Sequence, residues 1–229
     1  MRGFRQGREE MGMVKTFSGM VRALRWLVAP GAWMAAALAL VLGAAAAGAA
    51  EERAYEPVLG DDGLHKAPWL RDTFKDLRED LAEANAEGKR LMLLIEQRGC
   101  IYCKKMHEEV FPIPQLSQYI EDHFFVVQIN MFGDVEVTDF DGETLPEKEM
   151  IKKWGILFTP TMMFFPEEVP EGVSAKDAAV AIMPGAFGYY TTMNLLHWIV
   201  EKGYETDEPF QAYHRRMLPE RFRERPLKK

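Results

Sequence analysis

Only two thiols occur in 229 residues, Cys100 and Cys103, and only five histidines accompany them. A scaffold stapled by several disulfides is therefore excluded. A structural zinc site wants about four Cys/His ligands, and the supplement here would have to come from His107 and His123, which show no finger-like spacing. Positive charge is also short: 28 Lys and Arg stand against 35 Asp and Glu, giving a net charge of −7. Phosphate backbones need a basic face, so nucleic acid is a poor partner class. The C-terminal HRRMLPERFRERPLKK is locally basic, but its acids and Pro219 predict a solvated helical tail over 205–229. There is no internal repeat, and no low-complexity segment beyond one alanine run.

That run lies where charge is missing altogether. From Trp26 to Ala50 there is no ionisable side chain, Arg22 and Arg25 sit just before, and the stretch closes on small residues. Residues 1–50 read as an export signal peptide or a membrane anchor. Either way, the rest of the chain is expected in an extracytoplasmic compartment such as the periplasm. These fifty residues hold six of the Lys/Arg and two of the Asp/Glu, so the body left behind carries a charge of about −11.

Hydrophobic residues make up 48% of the chain, enough for one sizeable core. Residues 51–66 contain turn formers with little periodicity and read as a linker. Leu70, Phe74, Leu77, Leu81 and Ala84 recur at helical spacing after Trp69, with Gly88 as a stop. The apolar run Leu91–Ile95 predicts a strand buried on both faces. Lys104–Val110 and Gln115–Asp122 predict helices, and FFVVQIN over 124–130 a second core strand. Alternation around Asp141-Gly142 predicts a hairpin, 147–154 a helix, TMMFF a third strand and AVAIM a fourth. A last helix spans 191–202, with Leu195, Leu196, Trp198 and Ile199 on its buried face. Strands alternating with helices make an α/β layer fold.

The two cysteines, in QRGCIYCKKMH, thus sit where a central strand hands over to a helix. Their spacing admits a redox pair, half a metal site or a staple; a loop closed by two residues removes little unfolded-state entropy, so a staple gains little. At a helix N-terminus the unpaired N–H groups and the dipole favour a thiolate. Cys100 is the candidate nucleophile, with Arg98, Lys104 and Lys105 favouring its anion and Glu96 opposing it. Cys103, one turn on, is placed to resolve a mixed disulfide. Glu96 is the nearest carboxylate and a candidate proton relay, the alternative being a solvated loop acid. His107, four residues after Cys103, could tune that thiol, although a surface histidine is the plainer expectation. Tyr102 caps the helix or shapes a substrate groove. The acids between 134 and 143 match no calcium loop and read as a solvated hairpin, one that could border the active face; the scattered methionines read as core packing.

GCIYC after an apolar strand, with FTPT before the next strand, resembles the thioredoxin superfamily. The blocks GCIYCKKMHEEVF, FFVVQINMFGDVEVTDFDGE, WGILFTPTMMFFPEEVPEG and MPGAFG look like the periplasmic thioredoxins of sulfur-oxidation clusters, the SoxW family, over about residues 67–215. The resemblance implies a thioredoxin-like fold over 67–204, a mixed central sheet flanked by helices with an added N-terminal helix and a hairpin insertion. It implies a cis Pro160, with the Thr159-Pro160 backbone holding a substrate strand by edge pairing. It further implies a periplasmic protein-disulfide reductase with no cofactor beyond a redox-active Cys100–Cys103 disulfide. Its electrons would come from a membrane thiol transporter, and its partners would be exported sulfur-oxidation proteins with reactive thiols. The chain departs from the pattern at Ile101-Tyr102, where thioredoxins usually carry Gly-Pro, and at Leu94, where many carry a buried acid. A peptide-binding or chaperone module and a metallochaperone remain as alternative functions.

Overall fold

The computed structural model describes residues 52–224. The export signal or anchor expected at 1–50, and the last five residues of the tail, lie outside the described residues. The strands are β1 (Val58–Leu59), β2 (His65–Lys66), β3 (Leu70–Arg71), β4 (Arg90–Glu96), β5 (Phe124–Asn130), β6 (Glu136–Thr138), β7 (Thr144–Pro146), β8 (Thr161–Phe164) and β9 (Ala181–Pro184). The helices are α1 (Leu77–Ala86), α2 (Ile101–Lys105), α3 (Pro114–His123), α4 (Glu147–Trp154), α5 (Ala175–Ala178), α6 (Tyr189–Val200) and α7 (Phe210–Glu224). A π turn, Met106–Val110, continues α2.

Five strands form the central sheet in the order β3-β5-β4-β8-β9. β3, β5 and β4 run parallel, β8 is antiparallel to β4, and β9, antiparallel to β8, runs in the direction of the first three. Leu91–Ile95 is fully buried because both sheet faces are covered. Side chains alternate across the pleat. Met92 and Leu94 therefore face Met106, Val110 and Phe111 of the cysteine-bearing helix, with α3 and α6 beside it. Leu91, Leu93 and Ile95 face α1, α4 and the β6–β7 hairpin on the other side. Each buried leucine contributes about 1.5–3 kcal/mol.

Three expectations are corrected by this packing. Helical periodicity does not begin at Trp69: Leu70 lies in β3, Phe74 is 95% exposed, and Asp76 caps α1 by accepting the N–H groups of Arg78 and Glu79. Residues 51–66 are not an irregular linker. β1 and β2 pair as a hairpin whose turn uses Gly63 at φ 74°, a left-handed value suited to glycine. The tail is not merely solvated either, since α7 buries Tyr213 and Arg221, and Arg221 donates to Asn194 of α6 at 3.0 Å.

The β6–β7 hairpin forms around Asp141-Gly142 as its turn signal predicts. It is pinned by the buried Asp139, which accepts the N–H groups of Phe140 and Ala175 at 2.7 Å each and the Trp154 indole N–H at 3.0 Å. Because Val137 and Phe140 pack with α1 and α4, the hairpin covers the sheet face opposite the cysteines.

Candidate functional site

β4 ends at Glu96, and Gly99, at φ 72°, turns the chain into α2. Cys100 is the N-cap of that helix, its Sγ accepting the Cys103 N–H at 3.0 Å. Cys100 and Cys103 are joined in a disulfide. Cys100 reaches the surface with 7% of its area, whereas Cys103 is 1% exposed. Attack from outside therefore meets Cys100 first, and the helix N-terminus lies under the sulfur on which negative charge would develop.

The loop before β8 faces this sulfur. Thr159 Oγ1 donates toward Cys100 Sγ at 3.4 Å, and the Thr159 carbonyl oxygen lies 3.6 Å from it. The disulfide sulfur has no proton, so the latter contact becomes a hydrogen bond only in the thiol state. The Thr159–Pro160 peptide bond is cis. Ile101 and Tyr102, next after Cys100, and Leu157 and Phe158, just before Thr159, stand exposed and form an apolar rim. Tyr102 thus projects outward from the helix. The lysines stay at the surface, Lys104 lying 3.7 Å from Glu108. Arg98 does not turn toward the sulfur: its guanidinium donates to the Asp62 carbonyl oxygen at 3.2 and 3.4 Å, tying the β1–β2 hairpin to the loop before Cys100.

Two residues expected at the surface are buried. Glu96 is 1% exposed and His107 fully enclosed. The strand alternates, so Glu96 continues the row Met92, Leu94 beneath the cysteine-bearing helix, one pleat beyond Leu94. Both Glu96 carboxyl oxygens lie 3.1 Å from His107 Nε2. Gln128 of β5 donates to Glu96 Oε2 at 2.6 Å and to the His65 carbonyl oxygen at 2.9 Å, while its own oxygen accepts from Lys66 at 2.7 Å. The His65 ring stacks on His107 at 5.2 Å, and Phe111 meets His107 edge-on. Burial, then the charge of Glu96, pushes the Tyr55 phenol well above its ordinary range. Burial and the adjoining His107 push His65 down. Sequence reasoning missed Gln128 and His65. The only available signal for Gln128 was a polar residue inside an otherwise apolar strand.

These elements make a thioredoxin-like fold, with the cysteine pair where the sheet passes into a helix. Residues 77–172 match the family model of the thioredoxin-like domain. Among solved structures, the chain resembles a thioredoxin-fold protein from Helicobacter pylori at 16% identity and a TM-score of 0.48, over 58% of this chain and 86% of that one. A thioredoxin from Thermus thermophilus is 23% identical with a TM-score of 0.43, covering 56% and 86%. DsbH oxidoreductase is 14% identical with a TM-score of 0.39, covering 62% and 94%. No curated protein matches the chain.

Proposed function

We propose that this protein is a thiol–disulfide oxidoreductase, acting as a reductase of exported proteins. One observation carries the reading: a disulfide closes at a helix N-terminus, with Cys100 the more accessible of its two residues and Cys103 buried behind it. In the dithiol state Cys100 attacks a substrate disulfide as the thiolate. Cys103 then attacks Cys100, closing the ring and releasing the second substrate sulfur. Thr159 and Pro160 flank Cys100 and hold the substrate chain, with Tyr102 and the apolar rim around it.

The reductive direction, the periplasmic location and the partners belong to the same proposal. They are supported by the likeness of the quoted sequence blocks to the SoxW family and by the uncharged stretch before residue 51. The partners are exported sulfur-oxidation proteins with reactive thiols, and a membrane thiol transporter supplies electrons. Turbidity of insulin under limiting dithiothreitol tests the chemistry: the protein should accelerate reduction, and Cys100→Ser should abolish the acceleration. Full acceleration by that variant would refute the reading. Cys103→Ser should accumulate a mixed disulfide with the physiological partner in cells, and recovery of unrelated surface-cysteine proteins alone would refute the assigned partners.

A further inference from the structure

Cys103 must lose a proton before it can close the ring, yet it is buried, and burial raises a thiol's affinity for its proton. No carboxylate lies at Leu94. One pleat further along the same row is Glu96, and one helical turn beyond Cys103 is His107. Helix neighbours four apart have Cβ atoms about 5–6 Å from each other. The helix widens into its π turn at Met106, immediately before His107, a distortion often found at functional sites.

The hydrogen bonds fix the Gln128 amide and the ring nitrogen that faces Glu96. Lys66 can only donate and the His65 carbonyl can only accept, which fixes the Gln128 amide and makes it a donor to Glu96. Glu96, accepting from Gln128 and facing His107 Nε2 with both oxygens, holds the proton of the imidazole on Nε2. Nδ1 is then the position left for a second proton, and it is a buried atom with no hydrogen-bond partner among the described residues.

We infer that the Glu96–His107 pair, roofed by the β1–β2 hairpin, is the proton store of the buried thiol, taking the proton of Cys103 at His107 Nδ1. This rests on the oxidoreductase reading. In the mixed disulfide, Cys103 Sγ gives its proton to the pair and the thiolate attacks Cys100 Sγ. The Cys100–Cys103 bond forms as the bond from Cys100 to the substrate breaks, and the substrate sulfur leaves with the electron pair and is protonated from solvent. The dithiol has lost two electrons and the substrate disulfide has gained two. When Cys103 is next released as a thiolate, the pair returns the proton.

The hairpin belongs to the site because it supplies His65 against the imidazole and Lys66 on Gln128, and Arg98 clamps its turn. These residues precede the matched domain, which begins at residue 77. The charged and titratable groups around the pair are Tyr55, His65 and Lys66 above it, and Lys104 and Glu108 on its own helix. None of them is bonded to Nδ1.

Stopped-flow reaction of the reduced protein with 5,5′-dithiobis(2-nitrobenzoate) separates the two thiols. Attack by Cys100 releases one thionitrobenzoate, and ring closure by Cys103 releases the second. Glu96→Gln and His107→Gln should leave the first phase unchanged and slow the second at least about tenfold at pH 7. The deficit should narrow as pH rises, because more of Cys103 then ionises without help. A second phase with an unaltered pH profile in both variants overturns the proton store while leaving the oxidoreductase reading intact. Absence of a second phase in the unaltered protein would instead overturn that reading. Because a buried charge is being removed, the ring nitrogen shifts of His107 in the unaltered protein give an independent measurement. They should change between disulfide and dithiol states, and identical shifts overturn the inference.

Discussion

Asp80 of α1 offers a test of the folded state that is independent of the redox chemistry. Its side chain is buried and Oδ2 has no hydrogen-bond partner among the described residues. Burial, with the acids Glu83, Asp76 and Glu79 nearby, pushes its carboxyl up to about 7 from an ordinary 3.8. In the folded state the acid thus keeps its proton over a range where the unfolded chain gives it up. Asp80 contributes stability that is fully present below about pH 4 and is lost as pH rises to about 7, beyond which the loss levels off. At about 1.4 kcal/mol per unit the displacement corresponds to about 4 kcal/mol. Halving this for solvent screening leaves about 2 kcal/mol. Asp80→Asn has no proton to lose. In urea titrations followed by circular dichroism, the variant should match the unaltered protein at about pH 3 and exceed it by about 2 kcal/mol at pH 8. A stability difference that stays the same at both pH values would refute the reasoning, since every other titrating group cancels in the comparison.

Three further outcomes follow from the packing. Asp139→Ala strands the buried N–H groups of Phe140, Ala175 and Trp154, and should cost about 3–5 kcal/mol in a urea titration. The first thionitrobenzoate phase should stay normal in the protein that remains folded, because the hairpin covers the other sheet face. Gly133→Ala would drive a methyl group into Glu147, whose carboxylate is held by Lys75 and by the Asn130 N–H at 2.9 Å; stability in the urea titration should fall by about 1–3 kcal/mol. Burial, and then the charge of Arg221, depresses His197 to about 4. Its contribution is therefore whole above pH 6.5 and lost as pH falls through about 4, and His197→Gln should flatten that acid limb of the stability profile.

Much of the fold was legible because its signals are local. FFVVQIN and the helix at 147–154 were bounded correctly by composition alone. The hairpin followed from Asp141-Gly142. The failures share a different cause. Leu70 fits a helical period by spacing, but it forms a two-residue strand because Val126 and Val127, far along the chain, offer their backbone to it. The lead-in did carry a turn signal, GDDG between Val58-Leu59 and His65-Lys66, yet strands of two residues leave no period to detect.

The cysteine pair was the most legible part of the site, since two thiols two residues apart at a strand end leave few structural uses. The polar pair behind them was misread as solvated because a carboxylate and an imidazole belong in water unless something satisfies them. What satisfies Glu96 is distributed over three separate segments: His107 from the helix, Gln128 from β5 and, through that amide, the hairpin backbone at His65. Parity nevertheless held a usable clue. In a strand covered on both faces, Met92, Leu94 and Glu96 must point the same way, so an acid at position 96 is an acid beneath the cysteine-bearing helix. Such an acid survives only with buried donors, and a histidine one turn past Cys103 is the donor that the helix can deliver there. The same logic ties stability to chemistry in this protein: a buried acid must be either satisfied, as Glu96 and Asp139 are, or kept neutral up to about pH 7, as Asp80 is.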